Sequence, residues 1–379
     1  MTVNQKTKWR IVVVTLLVLF AMGFYWRSRQ APKQPASGNE SQVASPGEPS
    51  GASTTSANSA QSSFLSAASD LAAARTPEEK GRALARLREA LKSGNTNEMV
   101  LAIRRVLDTR TDAPTGQGFK VGGGGTLLEA PTLRTLLLDQ LAALDPTAAA
   151  AHAREIFASS DSPDEWAVAL RNLARGDTSA DARAILETKT GELLRNEAWQ
   201  RDPSVGYLEA FDTALHLGGT KLLPPLADLV RKKDKQAVAH AAFLTLDRLV
   251  INQPVEILAA LNEHPDWMTG REETRANYFA RADLGDAAQR RLVESYLLDA
   301  ARSPAELQTF AGVFPNANFM ISHNLLTGNA TLDGATLRSR DQAALAVVTQ
   351  WMADPRFENY RQTLSRIQER LKEFAKSAR

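Results

Sequence analysis

The chain is predicted to be all-α, and three observations predict it. Almost every segment after Phe64 places apolar residues at steps of three and four. Pro, Asp and Gly punctuate these segments at intervals of about one helix length. Period-two runs of β-branched residues, the mark of strands, are scarce.

The elements follow in order. TPEEKGRALARLREALKSG opens with Thr76 as N-cap, Pro77 at the first helical position and Glu79 where a capping box needs it. Leu84, Leu87 and Leu91 then form the apolar face, and Ser93-Gly94 ends the helix. NTNEMVLAIRRVLD repeats the pattern with Val100, Ile103 and Leu107. TLRTLLLDQLAALD, PTAAAAHAREIFASS and SPDEWAVALRNLARG each read as one more helix. The opening of the last, Ser-Pro followed by an acid and an apolar face, recurs in SPAELQTFAGVF. Pro163 and Pro304 are 141 residues apart, the span of four repeats of about 35 residues.

The segment LLPPLADLVRKKDKQAVAHAAFLTLDRL, residues 222–249, carries Pro224 and Pro225 in a first helix and Asp234 in a tight turn. Val238, Ala241, Ala242 and Leu246 then form the inner face of a second helix. This segment resembles a HEAT repeat. The resemblance implies a right-handed α-solenoid of HEAT-like helix pairs across residues 67–379, a fold that commonly serves as a protein-binding scaffold.

Ahead of that body lies a different chemistry. The run IVVVTLLVLFAMGFYW at 11–26 is uncharged and would span roughly 24 Å as a helix. Lys8, Arg10, Arg27 and Arg29 flank it, and Trp9, Tyr25 and Trp26 occupy interfacial positions. The reading is one transmembrane signal anchor. A cleaved signal peptide is the competing reading, with Ala21-Met22-Gly23 as its cleavage site, but it would start the mature chain at Phe-Tyr-Trp. Basic residues flank both ends alike, so charge does not orient the anchor. The short stub at 1–10 places the N-terminus in the cytoplasm and the body outside it, a bacterial periplasm being the expected setting. Residues 27–66, rich in Ser, Pro, Gly and Ala, read as a disordered linker with a reach of roughly 35 Å.

Composition excludes several function classes. Net charge is +2, and no basic cluster interleaved with aromatics points to nucleic acid. The densest basic run, RKKDK at 231–235, reads as the polar end of a helix hairpin. With no cysteine, disulfides, thiolate metal sites and a Cys nucleophile are ruled out. His152, His216, His240, His264 and His323 lie in no familiar metal-ligand spacing, and GxSxG is absent. No catalytic, cofactor or metal residue is therefore assigned.

Two irregular stretches are the candidate binding loops. Residues 109–132 hold four consecutive glycines, Gly122 to Gly125. They lack the Gly-Lys-Ser/Thr ending and the βαβ setting of a phosphate loop, so a surface loop is expected, with Phe119 and Lys120 as contacts. Residues 312–341 are rich in Asn and Gly, with Phe314, Asn316, Asn318, His323 and Asn324 as contacts. The alternative is that Phe314, Phe319, Met320 and Ile321 tuck into the core. At the C-terminus, Phe357, Tyr360, Leu364, Ile367, Leu371 and Phe374 keep a 3-4 spacing. That stripe reads as a final helix capping the stack, with homodimerisation as the alternative.

The function expected from these features is a membrane-tethered, extracytoplasmic scaffold that binds another protein or an envelope component. The alternative is an envelope hydrolase or lyase with its site near the 312–341 loop.

Overall fold

The computed structural model describes residues 53–318, 324–328 and 331–376. The expected anchor at 11–26, the linker up to residue 52, and His323 lie outside the described residues. No helix among the described residues is long and apolar enough to cross a membrane.

The packed body begins earlier than its composition suggests. Helix α1 (Ser53–Ala73) occupies the end of the stretch expected to be linker. Ala60, Phe64, Ala67 and Leu71 are buried at 4-3-4 spacing and pack on α2 (Pro77–Ser93) and α3 (Thr96–Asp108). A face built mostly of Ala is enough once Phe64 fills the gap between three helices. The Thr76 capping box forms as expected, with the Thr76 hydroxyl accepting from Glu79 N–H and the Glu79 carboxylate accepting from Thr76 N–H. Ile103 and Leu107 are buried, while Val100 is half-buried.

Among the described residues the body is all-helical apart from one small hairpin, and it is compatible with a helical repeat. Helices α4 (Leu133–Leu144), α5 (Pro146–Ser159) and α6 (Pro163–Gly176) pack together, followed by α7 (Ala180–Arg195). Three short helices then turn the chain: α8 (Glu197–Arg201), α9 (Val205–Glu209) and α10 (Asp212–Leu217). The expected helix hairpin follows as α11 (Leu223–Arg231) and α12 (Gln236–Asn252), with Val238, Ala241, Ala242 and Leu246 all buried. Next come α13 (Pro254–Glu263), α14 (Glu272–Phe279), α15 (Ala287–Leu298) and α16 (Pro304–Val313). Last are α17 (Gly334–Ala353) and, after a 3-10 turn at Pro355–Tyr360, α18 (Arg361–Lys376).

Buried ion pairs tie several helices to the next but one. Arg134 on α4 meets Glu165 on α6 at 2.8 Å, 31 residues away. Arg275 on α14 meets Glu306 on α16 at 2.7 Å, again 31 residues away. Glu165 and Glu306 are the acids of the two Ser-Pro openings, and Ser162 and Ser303 cap the two helices alike. Asp139 with Arg171, Asp247 with Arg281 and Asp212 with Arg248 are separated by 32, 34 and 36 residues. A spacing of 31 to 36 residues matches the repeat length read from the two Ser-Pro segments.

The C-terminal stripe is spent within the chain. Phe357, Leu364, Ile367 and Leu371 are buried, Tyr360 and Phe374 partly so, and α18 packs on α16 and α17. Arg370 adds hydrogen bonds to the carbonyls of Ala311 (2.8 Å) and Phe314 (2.7 Å).

Candidate functional site

The glycine-rich stretch and residues 324–328 of the second are built into the body. The glycine-rich one folds into an antiparallel hairpin of β1 (Lys120–Val121) and β2 (Leu127–Glu129). It is held from below by α6: Arg171 donates to the Gly125 carbonyl (2.7 Å) and to Asp139 (2.6 Å), while Asp139 accepts the Leu127 N–H at 3.0 Å. Gly125 has φ +72°, and a Cβ there would fall 2.0 Å from the Leu325 carbonyl oxygen. Only glycine allows that approach. The expected surface loop is thus half core. Phe119 is buried and packs close to Gly206, so its ring faces inward, whereas Lys120 is exposed near Glu129.

The second stretch is shorter than expected, because α17 starts at Gly334 under an Asp333 cap. Residues 324–328 are held by side chains from four helices, α6, α9, α10 and α12. Arg175 bridges the carbonyls of Gly124 (2.7 Å) and Leu325 (2.9 Å), joining the two stretches. Asp212 accepts the N–H groups of Leu326 (2.6 Å) and Thr327 (2.7 Å) on one oxygen and the Thr327 hydroxyl on the other. Arg248 donates to the Thr327 hydroxyl oxygen (2.7 Å) and the Gly328 carbonyl (2.8 Å). Glu209 accepts the Asn324 N–H at 3.3 Å, and the Leu325 side chain is buried. This is how a receptor holds an extended peptide: charged side chains read main-chain groups and a buried site takes one apolar residue.

Beside residues 324–328 lies a cavity of about 360 Å³ between the end of α12, the turn after α14, the start of α17 and residues 314–318. Apolar side chains supply much of its wall, including Val250, Leu284, Phe314 and Leu337, and the exposed Ile251 and Leu332 also line it. Its lining carries three carboxylates, Asp247, Asp283 and the buried Asp341, and the first two face guanidinium groups. Arg281 grips both oxygens of Asp247 (2.9 and 2.8 Å) and donates to the carbonyls of Asn316 (3.1 Å) and Asn318 (2.7 Å). Burial raises the Asp247 carboxyl against the pull of Arg281. Arg340 pairs with Asp283 at 3.0 Å.

Of the candidate contacts, Phe314, Asn316 and Asn318 therefore converge on one cavity. Phe314 is buried and stacked on Phe310 at 5.2 Å, and Asn316 N–H bonds the Ala280 carbonyl (2.8 Å). Asn324 lies apart, beside Glu209, and His323 lies outside the described residues. Sequence reasoning passed over Asp212, Asp247, Arg248 and Arg281. One signal was available: Asp247 and Arg248 interrupt the otherwise apolar face of α12, and charges in such a position need partners.

Comparison with protein-family models, with curated proteins and with solved structures finds no match to this chain.

Proposed function

We propose that this chain is a membrane-tethered scaffold. Its body, a right-handed α-solenoid of HEAT-like helix pairs, binds an extended segment of a partner protein at the cavity lined by residues 314–318, Gly328 and Leu332. The uncharged run at 11–26 is the anchor, with the N-terminus cytoplasmic and the body in an extracytoplasmic space such as a bacterial periplasm.

The observation that carries the reading is the cavity itself. It has an apolar wall and two exposed aliphatic residues, Ile251 and Leu332, and its carboxylates Asp247 and Asp283 are engaged with guanidinium groups. A pocket of this kind suits burial of an apolar side chain with polar contacts at the rim. The alternative, an envelope hydrolase or lyase, would draw its acid or base from Asp341 or from one of those carboxylates released from its arginine.

The test compares capture from envelope extract by wild-type chain and by Ala344→Trp, which fills the cavity from α17. A partner recovered by the wild type and lost with the tryptophan variant, at unchanged circular dichroism, is the expected result. Equal recovery by both would count against this site. Protease added to spheroplasts should digest the body; a protected body would refute the topology.

A further inference from the structure

We infer that Asp108, His152 and Glu155 form a binding site for a divalent metal cation of the borderline class that takes mixed nitrogen and oxygen ligands, with Zn²⁺ as the probe. The site lies outside the cavity described above. Asp108 is the last residue of α3, and His152 and Glu155 sit one turn apart on α5. One potential ligand atom from each of the three lies within 4.8 Å of the others.

The imidazole is the pointer to a ligand. His152 is 5% exposed, and neither of its ring nitrogens has a hydrogen-bond partner among the described residues. Its Nδ1 lies 2.9 Å from a Glu155 carboxylate oxygen, close in distance but not aligned as a hydrogen bond. A buried imidazole with both nitrogens idle is uncommon. A cation between one ring nitrogen and the two carboxylates would take up that nitrogen's lone pair and both acids together.

The donor set fits this class of ion. One imidazole with two carboxylates is a borderline-hard set, and zinc bonds to such atoms measure about 2.0–2.2 Å. Asp108 and Glu155 are exposed, so their side chains can close on an ion while water completes its shell. Asp108 also stands at the negative end of the α3 dipole, which favours a cation. Two guanidinium groups oppose it. Arg134 is neutralised by Glu165, and Arg104 is exposed to solvent. A bound ion would pin the entry to the glycine-rich stretch onto α5. The histidine spacing alone could not reveal this site, because the third ligand comes from a different helix.

The experiment uses the untagged full chain in detergent, stripped of metal and titrated with Zn²⁺ by calorimetry, and with Co²⁺ by visible absorption. Binding should saturate at one equivalent, and Co²⁺ should show d–d bands. Asp108→Asn and Glu155→Gln should each weaken Zn²⁺ by about tenfold or more and change the Co²⁺ bands. Both side chains are exposed, so these variants keep the fold even if His152→Gln does not. No saturable binding, or an affinity unchanged by both exposed variants, would overturn the site.

Discussion

Glu306 shows how much rests on single buried charges in this body. Its two oxygens take the Arg275 guanidinium at 2.7 Å each, and one also accepts the Tyr296 hydroxyl at 2.9 Å. Glu306→Ala would strand a buried guanidinium and a buried phenol. The expected loss is about 3–5 kcal/mol, read from urea unfolding, and much less for the exposed pair of Arg86 with Asp70. Equal small effects at both sites would show that the buried pairs are not what joins the repeats. Gly125 acts at the same scale by a different means. Its missing Cβ lets the hairpin turn lie against the Leu325 carbonyl, where Arg175 can hold the Gly124 and Leu325 carbonyls together.

At the scale of elements, α18 is the clearest case of a pattern that predicts its own packing. Leu364 and Leu371 are fully buried against the preceding helices. Replacing both with Asp should melt the last helices and lower the unfolding temperature, as seen by circular dichroism. A folded monomer recovered from a dimer would instead favour the stripe as a dimer seam. Such helices were legible because caps and apolar spacing are local: Thr76 with Glu79, or Ser162 and Ser303 ahead of proline, announce a helix start. Helix α1 was hidden because its buried face is largely Ala within a Ser- and Ala-rich run. The hairpin was hidden because its strands are two and three residues long, below any usable period. The clamps on residues 324–328 could not be read either, since Asp212 meets Thr327 only across 115 residues of chain.

For the whole molecule, the ion pairs recurring at 31–36 residues and the all-helical body are compatible with a helical repeat, to which residues 120–129 and 324–328 are fastened. In the proposed reading, the cavity beside residues 314–318 and Gly328 receives a partner's apolar side chain. Tethering at 11–26 would raise the local concentration of such a partner at the membrane surface. The most direct measurement places a photo-crosslinking amino acid at Ile251, lining the cavity, and separately at Leu101, an exposed leucine of α3 outside its lining. Irradiated in native membranes, the full chain should give one discrete adduct from position 251 and none from 101. No adduct from 251, or the same adduct from both positions, would contradict docking at the cavity.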